Sequence, residues 1–541
     1  MFEVNNEFKR KLNQAPISVW ISSILVTAAI TLPLVYLVIR AFGAGIETWD
    51  LVFRFRTLRT MGRTFALVVS APLLSLGISL PLAWLTTRTD LPFRRTWSVL
   101  TALPLVIPSY IFAYVVIVAL SPRGMLQGLL AGPFGVERLP SIYGFPGALL
   151  SVTAVSYPYL LLPLQASLRG IDPSLEEASH SLGHGFFSTF RKVTLPQLRP
   201  AIASGGLLIA LYSLRDFGAV SLMRFETFTF AIYNQYLTPF GGRMIAAALS
   251  MILLLFAVSL MVMESKTRNK SQFYGNGKGN SRDPNIIELG RWRWPALIFC
   301  SLIVLIFLIL PIVILGYWAA RGFTAGESLH MAWDPAINSL QVSGLTAIVV
   351  ILAALPIGIL TSRFSGKLSQ ILEKFTYIGF ALPGIVIALS LVFFAVGTPS
   401  YQTLGLLIFG YMILFLPLAV GSIRNSLLQI NPKMEEVSRS LGRNASETIR
   451  SVTIPLSKNG IFSAGALVFL VTMKELQATL ILSPLNFDTL ATSIWHATSE
   501  AFFARAAVPA LLLILLSSIP MMIILIFWHR REKYEKISGS L

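Results

Sequence analysis

Apolar residues in this chain fall into long unbroken runs. They do not form the stripes of surface helices or the strict alternation of half-buried strands. A membrane-spanning helix needs about 20 predominantly apolar residues. Twelve segments meet that requirement: 17–41, 64–86, 97–120, 144–165, 200–222, 244–263, 295–319, 338–361, 375–397, 402–422, 460–482 and 505–528. The pattern predicts an all-α, polytopic transmembrane helical bundle of about twelve spans. The first run is too long for the core of a signal peptide and no small-residue cleavage site follows it, so it reads as a retained span. The stretch 264–293 breaks the pattern. It is polar, basic and rich in Gly and Asn, as a flexible linker is. Its GNGKG lacks the GxxxxGK[ST] spacing of a phosphate loop, so no ATP site is expected in this chain.

The linker separates two related halves. IDPSLEEASHSLGHGFFSTFRKVTLPQLRPAI and INPKMEEVSRSLGRNASETIRSVTIPLSKNGI align at a constant offset of 259, pairing Pro173 with Pro432, Gly183 with Gly442 and Pro196 with Pro455. The same offset pairs Pro158 with Pro417 and Asp216 with Glu475. It becomes 279 for Pro104 and Pro383 and 275 for Pro81 and Pro356, which leaves about 20 extra residues in the 121–143 loop. With six spans each, the halves run in the same direction, as parallel repeats. The expected organisation is repeat 1 over 60–264 after an extra span at 17–41, a cytoplasmic linker over 265–293, and repeat 2 over 337–528 after an extra span at 295–319.

Composition agrees with this picture. Of 541 residues, 55% are hydrophobic and 13% charged, about half the charge of a typical soluble domain. The net charge of +18 reflects the Lys/Arg bias of cytoplasmic loops rather than a nucleic-acid surface. With the N-terminus inside, 30 of the 43 Lys and Arg residues fall on the inner side, so both termini are expected in the cytoplasm. Arg54, Arg56, Arg59 and Arg63 run against that rule and read as an amphipathic segment on the outer surface. The single cysteine, Cys300, excludes an intramolecular disulfide.

The paired segment lies between the fourth and fifth spans of each half. Asp172 and Asn431 are N-cap residues, followed by Pro173 and Pro432. Glu176, Glu177, Glu435 and Glu436 sit where a helix dipole favours acids. Gly183 and Gly442 end the short helix as left-handed residues. A second short helix then leads to Pro196 and Pro455, so each half presents a helix–turn–helix elbow. A capped elbow kept in duplicate suggests a docking surface for a pair of soluble subunits.

These residues resemble the EAA loop of ABC importer permeases: Glu-Ala-Ala, three residues, Gly, nine residues, Ile-x-Leu-Pro. The chain reads Glu177-Ala178-Ser179, Gly183, Val193-x-Leu195-Pro196, and again Glu436-Val437-Ser438, Gly442, Val452-x-Ile454-Pro455. Val437 replaces a small residue at a close-packed position. The resemblance covers about residues 60–528 and implies a type I ABC importer permease in the bacterial inner membrane. It also implies two cytoplasmic ABC ATPase subunits, which carry the ATP and Mg, and a substrate-binding protein on the outer side. No cofactor is implied for this chain. Glu177, Gly183, Glu436 and Gly442 would make or shape the ATPase contacts. The fused two-by-six arrangement, with 214–233 and 473–495, is similar to ferric iron importers. Thiamine importers are the alternative within the class, and an ion-coupled secondary transporter is the alternative outside it.

Asp216 and Glu475 occupy equivalent places near the outer ends of the fifth and eleventh spans, beside Arg215 and Lys474. Acids in spans default to functional readings, and oxygen ligands suit a hard cation. They are read either as a cation path or outer gate, or as ion pairs with their basic neighbours. His180 and His184 are four apart, but Gly183 interrupts their helix, so no metal site is assigned.

Overall fold

The structure, a computed structural model, describes residues 15–43, 45–239, 241–272, 286–327, 330–364 and 366–538. Secondary structure among the described residues is helical apart from one isolated bridge between Thr89 and Ile287. The polytopic all-α fold is as expected. Eight described helices are long and apolar enough to cross a membrane, or ten if each of two bent pairs counts as one span.

Several of the predicted twelve are interrupted, and the breaks have local causes. In 97–120 the helix Arg94–Leu100 gives way to a 3-10 turn, Leu103–Val106, and a new helix starts at Ser109, directly after Pro108. Pro104 and Pro108 each remove a backbone donor there. In 200–222 the helix Leu195–Arg215 ends at Asp216, and the short helix Gly218–Leu222 follows. In 375–397 the helix Lys367–Ala381 stops before Pro383, and Gly384–Ala395 resumes. In 144–165 the chain bends by 41° between Phe145–Ser156 and Pro158–Gly170. Apolar composition specifies residence in lipid, but not where a helix stops.

The chain forms two compact units, and they are not the two sequence repeats. One comprises Ile46–Ser328 and Ile494–Leu511. In it Phe55–Arg88 packs against Pro158–Gly170 and Leu195–Arg215, and Leu310–Thr324 packs against Ser109–Leu120. The other comprises Met1–Gly45, Leu329–Ser493 and Leu512–Leu541. There Ile17–Phe42 packs against His330–Arg363, Lys367–Ala381 and Gly384–Ala395. Each extra span therefore packs with helices of the repeat it does not precede.

The expected flexible linker is ordered at both ends. The helix Gly242–Gln272 runs through its first part, and GNGKG lies outside the described residues. From Ile287 the chain is strapped to the end of the Phe55–Arg88 helix. Ile287 N donates to Arg88 O at 2.8 Å and Asp90 N to Ile287 O at 3.2 Å. Asp90 accepts from Leu289 N at 2.9 Å and from Arg293 Nη2 at 2.8 Å. These donors, the Leu289 amide first, hold the Asp90 carboxyl below the usual carboxylate range. The folded state thus favours the ionised form. The strap is fully present above the ordinary carboxylate pKa of about 4 and is lost as pH falls through the lowered value. Asp90→Asn is expected to speed hydrogen exchange at 286–293 at neutral pH, as acidification does in the wild type. Unchanged protection in the variant would refute the strap.

Candidate functional sites: two clamped elbows and two helix breaks

Each elbow begins with a side-chain cap. Asp172 accepts from Ser174 N at 3.0 Å, and Asn431 Oδ1 accepts from Lys433 N at 3.1 Å. The short helices Pro173–Ser181 and Lys433–Ser440 then close with matching bonds. Gly183 N donates to His180 O at 2.9 Å and His184 N to Ser179 O at 3.1 Å; Gly442 N donates to Arg439 O at 3.0 Å and Arg443 N to Ser438 O at 3.4 Å. The glycines sit at φ +82° and +87°, where a Cβ is strained. Hydroxyl pairs tie the first short helix to the second: Ser179 with Thr189 at 2.9 Å and Ser438 with Thr448 at 3.2 Å. A five-residue π-turn follows in both copies, Phe190–Thr194 and Ile449–Thr453. Pro196 and Pro455 lie in the first turn of the helix after each π-turn.

One acid per elbow sits in a three-residue clamp, half-buried at Glu176 and buried at Glu435. Arg88, the last residue of Phe55–Arg88, places Nη1 3.3 Å and Nη2 3.4 Å from the Glu176 carboxylate. Thr194 donates to the same carboxylate at 2.8 Å. In the second copy Arg363 Nε donates to Glu435 Oε1 at 2.9 Å and Thr453 Oγ1 donates to it at 3.0 Å. Arg363 also donates to Ile430 O at 3.2 Å. The Arg88 side chain is 1% exposed and the Arg363 side chain 8%. The clamp ties each elbow to the end of a long helix, Phe55–Arg88 or His330–Arg363, and to the helix that follows the elbow.

Sequence reading named the four acids but missed Arg88, Arg363, Thr194 and Thr453. The signal was present: Arg88 and Arg363 share the 275 offset of Pro81 and Pro356, and Thr194 and Thr453 share the elbow offset of 259. Glu177 and Glu436, the acids of the motif, are exposed beside the clamp. Ala178 and Val437 are exposed with them, on a stripe completed by Leu175 and Leu182 in one copy and Met434 and Leu441 in the other. Leu182 is 79% and Leu441 77% exposed. His180 Nδ1 meets His184 O at 2.9 Å, so this histidine closes the turn. Among the described residues no group of three or more His, Cys, Asp or Glu is arranged to hold a metal.

The helices leaving the elbows end at the other two acids. Asp216, buried, follows Leu195–Arg215 and accepts from Ala219 N at 3.0 Å, from Val220 N at 3.3 Å and from the Ser109 hydroxyl. Glu475 follows Lys458–Met473 and accepts from Ala478 N at 3.1 Å. Each carboxylate thus caps the short helix beyond its break, Gly218–Leu222 or Gln477–Leu482. Arg215 and Lys474 lie half-buried beside them.

Comparison with known proteins places these features in context. A family model described as "Binding-protein-dependent transport system inner membrane component" matches twice, over residues 74–264 and 354–533. The chain is 34% identical over 512 residues to the Fe(3+)-transport system permease protein FbpB 2 of Haemophilus influenzae, covering 93% of this chain and 96% of that protein. It is 26% identical over 455 residues to the ferric transport system permease protein FbpB of Actinobacillus pleuropneumoniae, covering 75% and 64%. Similarity to the molybdenum transport system permease protein ModB of Escherichia coli is 33% over 201 residues, 36% of this chain and 86% of that protein.

Proposed function

The chain belongs to the family of binding-protein-dependent transport system inner membrane components, and on that premise we propose that it is the permease subunit of an ATP-driven importer whose cargo is ferric iron. The ferric relatives favour this cargo: one of them matches the fused chain over nearly its whole length. The molybdenum relative covers about one repeat, and nothing favours thiamine.

The observation that carries the reading is the duplicated, clamped elbow with an exposed apolar stripe. Two cytoplasmic ATPase subunits, which hold ATP and Mg, each dock on one stripe. This chain performs no covalent chemistry; its task is mechanical. A push on the first elbow reaches Phe55–Arg88 through Arg88 and Leu195–Arg215 through Thr194. The second elbow moves His330–Arg363 and the helix after Thr453 in the same way. A swing from 1:99 to 99:1 between inward- and outward-open states needs only about 5.5 kcal/mol. A binding protein delivers iron on the outer side, both termini lie in the cytoplasm, and the outer-gate residues are Asp216 with Arg215 in one unit and Glu475 with Lys474 in the other. The Asp216 and Glu475 carboxylates are hard oxygen donors, the class suited to ferric ion.

Reconstitution into liposomes with the ATPase subunits and the binding protein tests this. We expect ferric uptake that requires ATP and both partners, with no thiamine uptake. Uptake driven by an ion gradient without the ATPase would overturn the proposal.

A further inference from the structure

The arginine cluster at 54–63 has a counterpart in the second repeat, and the counterpart carries the opposite charge. The loops 224–227 and 486–489 are built alike. Each opens on a non-glycine residue at positive φ, Arg224 at 53° and Asn486 at 60°, and continues Phe–acid–Thr. Each is followed by an amide that donates to a hydroxyl of a long helix: Phe228 N to Thr64 Oγ1 at 3.1 Å, Leu490 N to Ser339 Oγ at 2.8 Å. Thr64 and Ser339 are 275 apart, as Arg88 and Arg363 are, so the two long helices match from end to end.

Charge does not follow this match. In the first repeat Glu226 takes Arg56 at 3.0 Å and Arg63 at 3.2 Å. Arg59 and Arg224 are exposed around it, and the Arg224 guanidinium lies 5.6 Å from the centre of the Tyr143 ring. Among the described residues no carboxylate pairs with Arg59 or Arg224, so four cations face one anion. Arg54 adds one positive charge, and Asp50, four residues before it, offsets it. In the second repeat the positions of Arg56, Arg59, Arg63, Arg224 and Glu226 are held by Met331, Asp334, Asn338, Asn486 and Asp488. Asp334 and Asp488 are exposed, and Asn338 turns to Asp488 O at 3.0 Å. The first surface carries a net +3 and its equivalent −2.

The arginines of the long helix share one side of it. At about 100° per residue, Arg56, Arg59 and Arg63 fall within about 60° of one another on the helix. The exposed Leu58, Phe65 and Val69 form a separate apolar stripe about 130° away around the helix. The cluster also sits at the far end of Phe55–Arg88 from the elbow clamp.

We propose that Arg56, Arg59, Arg63 and Arg224 form the docking surface for an acidic face of the substrate-binding protein, and that the acidic equivalent in the second repeat rejects that face, so the partner seats in one orientation. The inference rests on the importer reading above, which supplies such a partner. Exposed charges of this kind set association rate and register more than final affinity. A like-charged mismatch at the other repeat supplies discrimination.

The test uses the whole permease–ATPase complex in nanodiscs of zwitterionic lipid, with purified, ferric-loaded binding protein. Arg59→Glu with Arg224→Glu is expected to slow association about tenfold at low salt, with dissociation little changed and basal ATPase activity intact. The difference should shrink as salt rises toward about 0.5 M, where screening falls to a few ångströms. Arg59→Gln, a mild change at an exposed site, should slow association about two- to threefold. Association rate and salt slope equal to wild type in both variants would overturn the proposal. So would unchanged association combined with lost stabilisation by anionic lipid vesicles, which would make the cluster a headgroup contact. Failure of the wild-type complex to bind would instead sink the importer reading itself.

Discussion

Glu435→Ala is expected to destabilise its unit by about 3–5 kcal/mol, because it leaves the Arg363 guanidinium buried without its carboxylate. Glu176→Ala should do the same to Arg88, whose side chain is 1% exposed. The Thr194 and Thr453 hydroxyls lose their acceptors in the same step. The informative comparison is the pair Arg363→Leu with Glu435→Leu. Replacing both charges with apolar groups removes the desolvation cost along with the attraction, so stability should return close to wild type. Coupling should not return, because the fixed link between elbow and spans is gone. Thermal unfolding in detergent reads the first effect, and iron transported per ATP hydrolysed reads the second. A double variant with wild-type coupling would show that the clamp only holds the fold.

Leu182→Asp with Leu441→Asp is expected to abolish stable association with the ATPase subunits. Both side chains are more than three-quarters exposed, so neither change removes packing within this chain. At a docked surface, truncating one central apolar anchor costs about 2 kcal/mol or more, and placing a charge there costs further desolvation. Two such sites should lower affinity by at least about a hundredfold. Gly183→Val with Gly442→Val attacks the same surface differently. It forces a β-branched residue to φ above +80°, at about 1–2 kcal/mol each, and changes the direction in which the elbow points. Co-purification with the ATPase after affinity capture of this chain measures both. Retention of the ATPase by the leucine pair would remove the stripe from the interface.

Much of this was legible before the structure. Run length identified the apolar segments, of which eight to ten are long enough spans among the described residues, and the 259 offset identified the duplication. The caps at Asp172 and Asn431 and the turns at Gly183 and Gly442 followed from local chemistry, because a cap bonds within a few residues. The clamps were not legible. Arg88 and Glu176 are 88 residues apart, and Arg88 reads in sequence as one more inward-facing positive charge. The break at Asp216 was hidden because lipid rewards apolar residues whether or not their helix is continuous. The Gly- and Asn-rich part of the linker lies outside the described residues, and the anchoring of its far end by Ile287 and Asp90 was not legible because those contacts join distant positions.

The packing of the extra spans has a consequence for how such a molecule must be made. Ile17–Phe42 is synthesised well before the helices it packs against, which lie beyond residue 329. The partner of Leu310–Thr324, in contrast, is already in place when that helix emerges. That helix therefore waits for its partners while about 290 residues, those between Phe42 and His330, are made. Either half produced alone would strand a helix without its mate. The two halves produced as separate chains would still carry every surface needed to clasp one another.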